Sequence, residues 1–439
     1  MSSGSKFKEI SENFTLAEAI SEAKRCLHCK KPLCVSGCPI GNNIPDFIYQ
    51  LSMGNMGAAM SIINERSTLP AICGRVCPHE KQCEGHCVLT NKEKGIRIGK
   101  LERFVADFDS EMNLIRERLP QKNRGKIAVI GSGPAGLTVA GELARKGFNV
   151  TIFEREDEAG GVLLYGIPDY RLPHEVVRRE VKKIEALGVT FAMNCTVGRN
   201  ITINGIFAQD YDAIFIGTGT ALPKSLDVPG SDLRGVIQSS YFLHMANIYS
   251  LGAVTRWAVP LYEGDRVGVI GCGNVAMDAA RTAIRLGAES VTILYHRTEE
   301  YMPALKSEYH EALEEGVRFM WKVSCREFIG DEEGRLREVR MDTQDGEKKL
   351  SLDRIMMAVG SRPANRIVST TEGIDVDENG YVKTRELPYG MTTRKGVFAG
   401  GDVVHRPQTV VLAMKAAKEV AQGIAQYVDA VKLLEASNK

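Results

Sequence analysis

Eight of the eleven cysteines crowd between residues 26 and 87, as C-L-H-C-x4-C-x3-C-P (Cys26, Cys29, Cys34, Cys38) and C-G-R-V-C-P-H-E-K-Q-C-E-G-H-C (Cys73, Cys77, Cys83, Cys87). So dense a set of thiols dictates the chemistry of this segment before any other feature does. Thiolates at short spacing suit soft iron, and the runs of ferredoxins also end in Cys-Pro. The number of sulfurs predicts two [4Fe-4S] clusters. Zinc favours C-x2-C knuckles paired across a longer spacer, which C-x3-C-P does not resemble. Disulfides require an oxidising compartment, and the opening MSSGSKFKEISENF lacks the apolar core of a signal peptide.

A chain of 439 residues is long for one core, so about three domains are expected. With 44% hydrophobic and 25% charged residues the composition is that of an ordinary globular protein. A net charge of +1 gives no electrostatic footprint for nucleic acid or anionic membrane. No apolar run is long enough to span a bilayer, and the expected location is cytoplasmic.

Residues 1–119 read as helical connections around the cysteine loops. I-P-D-F-I-Y-Q-L (44–51) starts a helix with Pro45 in its first turn, and R-I-G-K-L-E-R-F-V-A-D-F (97–108) has helical apolar spacing. The polar stretch 118–126 reads as a linker. Beyond it, β-branched runs alternate with amphipathic helices, the pattern of doubly wound α/β domains.

Two glycine turns stand out in that region. K-I-A-V-I-G-S-G-P-A-G (126–136) places Gly131, Gly133, Pro134, Ala135 and Gly136 between a strand and a helix; R-V-G-V-I-G-C-G-N-V-A (266–276) does the same with Gly271, Gly273, Asn274, Val275 and Ala276. Each precedes a second strand, at Val150–Phe153 and Val291–Tyr295, which turns a weak motif into a strong one. The first glycine permits the tight turn, the second admits a pyrophosphate, and the third position must be small for the helix to pack on the strand. Phosphate then meets the unpaired N–H groups of a helix N-terminus.

Glu154, at the end of the first unit's second strand, suits the ribose of FAD. Near the C-terminus G-V-F-A-G-G-D-V (396–403) ends in Gly401 and Asp402, where a carboxylate suits the ribityl and pyrophosphate region; standing alone, Asp402 would read as a turn aspartate. The second unit's strand ends in Tyr295-His296-Arg297. Arg297 matches a 2′-phosphate and so NADPH, while Glu299 and Glu300 lie close enough to serve a 2′-hydroxyl and so NADH.

These residues resemble the small-subunit family of glutamate synthase and its relatives, including the N-terminal part of dihydropyrimidine dehydrogenase and the large subunit of NADH-dependent ferredoxin:NADP oxidoreductase. The resemblance covers nearly the whole chain. It is carried by the two cysteine runs, I-G-K-L-E-R-F (98–104), G-G-V-L-L-Y-G-I-P-D-Y-R-L-P (160–173) and A-G-G-D-V (399–403). It implies an α/β protein with a helical iron–sulfur domain (1–119), a FAD domain (124–225 and 360–439) and an NAD(P)H domain inserted in it (226–359), both Rossmann-like. It further implies that Gly160–Pro173, with Gly161 and Arg171, lines the flavin, and that Gln408, Thr409 and Val410 begin a helix aimed at the ring.

The resemblance also implies an interleaved cluster wiring. One cluster takes Cys26, Cys29, Cys34 and Cys87; the other takes Cys38, Cys77, Cys83 and Glu102, leaving Cys73 without a cluster. Read without the resemblance, Glu102 would be a surface glutamate. The implied function is electron transfer from NAD(P)H through FAD and two [4Fe-4S] clusters to a partner subunit or ferredoxin, in a hetero-oligomer or homodimer. Hydride transfer needs no protein acid or base, so no catalytic residue is assigned. Two rival readings are a flavin disulfide reductase and a non-catalytic cofactor-binding scaffold. The first needs a cysteine pair beside the flavin, yet outside the N-terminal segment only Cys195, Cys272 and Cys325 remain, which read as small packing residues.

Overall fold

Thr15 opens the first helix of the computed structural model, which describes residues 7–92, 94–115, 117, 119–407 and 409–437. Helix α1 (Leu16–Lys24) starts at a capping box: the Thr15 hydroxyl accepts from the Glu18 N–H, and the Glu18 carboxylate accepts from the Thr15 N–H at 2.8 Å. Helix α2 (Ile44–Ser52) carries Pro45 in its first turn, as read from sequence, and buries Ile44, Phe47, Ile48 and Leu51 on one face. Helices α3 (Met56–Arg66), α4 (Pro70–Val76) and α5 (Ile98–Met112) complete the cysteine-bearing layer.

Helix α4 lies close against α5 because Gly74 has no side chain: a Cβ there would stand 2.6 Å from the Arg103 nitrogen. Beside that contact Asp107 of α5 takes both arms of Arg75, at 3.1 and 2.7 Å, and Arg179 at 2.5 Å. Burial opposes a charge on Asp107, but the guanidiniums of Arg75 and Arg179 hold its carboxyl below the usual range.

Two parallel sheets follow. In the first, β1 (Gly125–Ile130) is flanked by β2 (Phe148–Phe153) and β4 (Ala213–Ile216), with Ile127 opposite both Val150 and Ala213; β3 (Thr190–Ala192) pairs beyond β2. Helix α6 (Pro134–Arg145) joins β1 to β2. The chain therefore reverses its winding direction at β1, and the crevice beyond the C-terminal end of such a strand is where doubly wound sheets bind ligands.

The second sheet repeats the plan. Its strands are β5 (Val236–Gln238), β6 (Arg266–Ile270), β7 (Ser290–Tyr295), β8 (Arg318–Trp321) and, after an antiparallel excursion through β9 (Ser324–Gly330), β10 (Leu336–Thr343) and β11 (Gly346–Ser351), β12 (Arg354–Met357). The order is β5-β12-β6-β7-β8, with helix α7 (Asn274–Arg285) following β6. Strand β13 (Val397–Ala399) then pairs with β4 in the first sheet, and helix α8 (Val410–Ser437) closes the chain.

The chain forms two compact units. One holds residues 7–10, Leu164–Pro173 and Leu222–Ser361; the other holds Ser11–Leu163, His174–Ala221 and everything from Arg362 onward. Among the described residues no helix is long and apolar enough to cross a membrane.

Candidate redox centre

Several predicted positions of the larger unit converge on the turn after β1. Gly131 adopts φ +94°, and a Cβ there would stand 2.8 Å from the Gly217 carbonyl; a Cβ on Gly136 would stand 1.9 Å from the Gly131 carbonyl. At Gly133, by contrast, a Cβ would meet nothing within 4 Å. The turn is thus closed where it packs on its own sheet and open at its middle glycine, the shape a pyrophosphate requires. Pro134 and Ala135 are buried in the first turn of α6.

Glu154, at the end of β2, reaches this turn. Its carboxylate accepts from the Ser132 N–H at 2.8 Å, the Ser132 hydroxyl at 2.5 Å and the Glu156 N–H at 3.0 Å. Gly161 arrives from the other side, where a Cβ would stand 2.9 Å from the Gly133 Cα. Gly401 backs onto Ala135 in the same way, at 2.9 Å. Its neighbour Asp402 is half-buried, and that burial pushes its carboxyl up to about 6. Val410 begins α8, whose Leu412 N–H donates to the Thr409 hydroxyl at 3.3 Å; Gln408 lies outside the described residues.

In the smaller unit Gly271 adopts φ +116°, with room for a Cβ denied by the Ala358 carbonyl at 2.5 Å. A Cβ on Gly273 would meet only Pro303, at 3.9 Å; Asn274 accepts from the Leu305 N–H at 3.2 Å, Ala276 is buried, and Val275 exposes 48% of its surface. An apolar side chain left open at a helix N-terminus, over a glycine with space above it, fits a dinucleotide lying across the turn. Arg297 is exposed, its guanidinium 5.9 Å from the centre of the Tyr301 ring. Glu299 is engaged elsewhere, accepting from the Tyr309 hydroxyl at 3.0 Å.

Arg171 stands in an ion-pair network of this same unit. It binds Asp278 of α7 at 2.8 Å and Glu308 at 2.7 Å. Arg281, fully buried, binds Glu308, Glu311 and Glu315, each at 2.7 Å, and Arg285 stacks 3.8 Å over Tyr170. The second half of the 160–173 motif is thereby fastened to the helix that opens at the second glycine turn.

The cysteines fall into two groups. Cys26, Cys29, Cys34 and Cys87 line one hollow, together with Leu27, Leu33, Ile44 and Ile48. Burial pushes the Cys34 thiol up to about 11 and the Cys26 thiol in the same direction. Cys38, Cys77 and Cys83 gather near Glu102: burial raises the Cys38 and Cys83 thiols, the Cys73 hydrogen bond and burial raise that of Cys77, and the Glu102 charge adds to all three. Contrary to its reading as a surface residue, Glu102 is 8% exposed, and burial pushes its carboxyl up to about 8. Among the described residues no three of these side chains close to the spacing of a single metal ion. The raised thiols of Cys26, Cys34, Cys38, Cys77 and Cys83 and the buried Glu102 carboxyl resist ionisation, so both groups fit a cationic iron core that would hold them as thiolates and carboxylate. Cys73 is buried with its sulfur 3.6 Å from the Met414 sulfur of α8, and it also hydrogen-bonds Cys77. The other three cysteines occupy three separate apolar clusters, as packing residues would.

Sequence reading passed over two contributors. Ser132 is the hub of the first turn, donating to Glu154 while accepting from the Gly160 N–H at 2.9 Å. Gly217 lets that turn close, and its signal was legible: the apolar strand A-I-F-I runs straight into G-T-G (217–219).

Two family models match the chain: dihydropyrimidine dehydrogenase domain II, 4Fe-4S cluster, over residues 3–114, and pyridine nucleotide-disulphide oxidoreductase over residues 125–417. The glutamate synthase [NADPH] small chain of Halomonas elongata is 36% identical over 97% of this chain and 94% of its own. The NAD-dependent dihydropyrimidine dehydrogenase subunit PreT of Escherichia coli is 33% identical over 96% of this chain and 97% of its own. Thioredoxin reductase of Lactococcus lactis superposes with a TM-score of 0.54 at 24% identity, over 70% of this chain and 99% of that one, a likeness of fold alone.

Fold, turns and thiols together define an NAD(P)H-dependent oxidoreductase that uses FAD and 4Fe-4S chemistry. The chain belongs to the glutamate synthase small-chain family, in which a 4Fe-4S domain precedes a pyridine nucleotide oxidoreductase fold.

Proposed function

We propose that this chain takes electron pairs from NADPH and releases them singly, through two clusters, to a separate protein. When bound, the nucleotide and FAD supply hydride chemistry and the iron–sulfur groups supply one-electron steps. The chain's residues hold and order them. Gly131–Gly136, Glu154, Gly161, Gly401 and Asp402 form the FAD cradle, and Gly271–Ala276 with Arg297 form the nucleotide site. Cys38, Cys77, Cys83 and Glu102 hold an inner cluster; Cys26, Cys29, Cys34 and Cys87 hold an outer one. We take 1–119, 124–225 with 360–439, and 226–359 as the corresponding domains.

The observation that carries this order is the Cys73–Met414 contact. Met414 lies in the second turn of α8, the helix that begins beside Asp402, so the Glu102 group is the one tied to the flavin side. The cysteines of the other set are all partly exposed, as are Cys38 and Cys77 of the inner set, whose Cys83 and Glu102 are buried. The acceptor is a second polypeptide in a heteromeric complex, in keeping with the subunit status that the names of the relatives give them. A cytoplasmic location suits a chain whose eleven cysteines form no disulfide.

Anaerobically purified protein is expected to hold eight irons, eight sulfides and one FAD per chain, about the capacity of two cubanes. NADPH should bleach the flavin under argon and support reduction of a neutral dye. Stoichiometric zinc with little iron would overturn the assignment.

The preference for NADPH rests on Arg297, which among the described residues makes no ion pair, while Glu299 is held by Tyr309. Arg297→Ala should raise KM for NADPH about tenfold or more, the cost of a lost charge-assisted bond to phosphate, and leave NADH within about twofold. An equal loss for both nucleotides would make Arg297 merely structural.

A further inference from the structure

The loop between Cys83 and Cys87 is bonded to the first turn of α5. A helix leaves its first N–H groups without partners of its own, and its aligned peptide dipoles make that end positive, so acids are favourable there. Two acids from other segments meet this need. The Glu22 carboxylate of α1 accepts from the Arg97 N–H and the Glu84 carboxylate accepts from the Gly99 N–H, each at 2.9 Å. Glu22 also belongs to an ion-pair cluster, with Arg25 at 3.0 Å and Arg97 at 3.8 Å. Glu84 is half-buried and holds something else.

All three polar groups of Glu84 engage the segments that carry the sulfurs. Its N–H donates to the Cys83 sulfur and to the His79 carbonyl, the latter at 3.0 Å. Its carbonyl accepts from the Cys87 N–H at 3.0 Å and the Thr90 hydroxyl at 2.9 Å. Its carboxylate reaches α5 at Gly99, and Glu102 follows in the next turn. One residue thus joins a cysteine of the inner set, a cysteine of the outer set and the helix that carries the inner set's carboxylate. The approach needs Gly99: a Cβ there would stand 2.3 Å from the His79 ring, whose backbone carbonyl also accepts from Gln82 and Gly85.

We infer that Glu84 is a positioning residue for both clusters, holding Cys83, Cys87 and Glu102 in one register through its bond to the Gly99 N–H. The inference rests on the ligand sets proposed above and adds the residue that joins them. Its role is geometric. What α5 requires at this point is an acceptor oxygen, so an amide in place of the carboxylate serves it, whereas a methyl group leaves the Gly99 N–H unbonded. Charge acts in the opposite sense: burial first and the Glu84 charge second raise the Cys83 thiol, so the acid opposes the thiolate beside it. Glutamine and alanine both remove that charge, and only glutamine keeps the bond. Partners that orient ligands in this way typically change metal affinity by about ten- to a hundredfold when removed.

The test compares wild type, Glu84→Ala, Glu84→Gln and Glu102→Ala as anaerobically purified holoproteins. Iron content, low-temperature EPR and the rate at which a ferrous chelator strips iron are measured on each. Glu84→Ala is expected to shift the spectra of both clusters and to release iron about tenfold faster or more, with FAD content unchanged. Glu84→Gln should stay within about twofold of wild type, because the acceptor remains. Glu102→Ala should alter the inner spectrum alone. Hydrogen exchange read by mass spectrometry reports the cap without reference to iron: a peptide spanning 97–103 should exchange faster in Glu84→Ala than in wild type or Glu84→Gln. If Glu84→Ala yields no holoprotein, Glu84→Asp, which keeps the acceptor on a shorter arm, should give the same changes on a smaller scale. Unchanged spectra and iron release in Glu84→Ala, a change confined to one cluster, or equal effects of alanine and glutamine would overturn the inference. Wild-type protein without iron, or an unaltered inner spectrum in Glu102→Ala, would instead sink the ligand sets proposed above.

Discussion

Gly136→Val is expected to purify without flavin. The valine Cβ would be built 1.9 Å from the Gly131 carbonyl, and that atom cannot step aside because Gly131 is itself closed off by the Gly217 carbonyl. Helix α6 must therefore lift from β1, and the N–H groups that should converge on a pyrophosphate lose their common focus. A FAD content below about a tenth of wild type is expected, because a turn that must be pre-organised no longer forms. Gly133→Ala separates fold from ligand. Its Cβ meets nothing within 4 Å, so thermal stability of the flavin-free protein should be unchanged while FAD affinity falls. Flavin absorbance after desalting, with a melting curve of each apoprotein, checks both. Full flavin in Gly136→Val would show that the cofactor does not lie on this turn.

The same residues show why the nucleotide folds were readable in the sequence. A glycine turn between strand and helix is a local device, and each of its three small positions answers to a clash within a few residues or on the adjacent strand. The β-branched runs after each glycine turn placed Val150 and Val291 in the second strands, and the observed β2 and β7 contain both. What depends on distant chain was harder to see. Ser132 matters because Glu154 and Gly160 come to it, and nothing in S-G-P announces that. The insertion β9-β10-β11 is a meander with its own turns, which composition alone does not separate from the parallel strands around it.

Arg171 illustrates the limit most sharply. Its motif reads as one continuous loop, yet the structure divides it. Gly161 packs on Gly133, while Tyr170 and Arg171 belong to the buried ion network of Asp278, Arg281 and Glu308. Local sequence carries no sign of that division, because the carboxylates concerned lie more than a hundred residues away. Burial misled in the opposite direction at Glu102: glutamate is rarely buried unless partnered, so sequence alone puts it on the surface.

That buried carboxyl is the subject of the last expected result: Glu102→Ala loses or alters only the inner cluster, and Cys73→Ser retains both. Eight cysteines suffice for two cubanes, so an all-cysteine wiring would make Cys73 a ligand and Glu102 a bystander. Two observations favour the other wiring. Cys73 has turned its sulfur to 3.6 Å from Met414, whereas Glu102 stands among Cys38, Cys77 and Cys83 with its carboxyl pushed up to about 8 by burial. A carboxyl so placed costs several kcal/mol to ionise unless a cation compensates it, roughly the scale of a desolvated charge, and an iron ion is such a cation. The Cys73–Cys77 hydrogen bond keeps Cys73 close to the inner set, so proximity alone does not decide between the two wirings. Interleaved ligation has precedent in two-cluster ferredoxins, where the fourth cysteine of a run serves the other cluster. Iron and sulfide content with low-temperature EPR should show about half the cluster signal lost or shifted in Glu102→Ala, with the outer cluster's spectrum intact. Glu102→Asp, which keeps an oxygen ligand on a shorter arm, should shift the inner spectrum without removing it. Loss of a cluster from Cys73→Ser, with Glu102→Ala unchanged, would establish the all-cysteine wiring and leave Glu102 a buried acid without an iron.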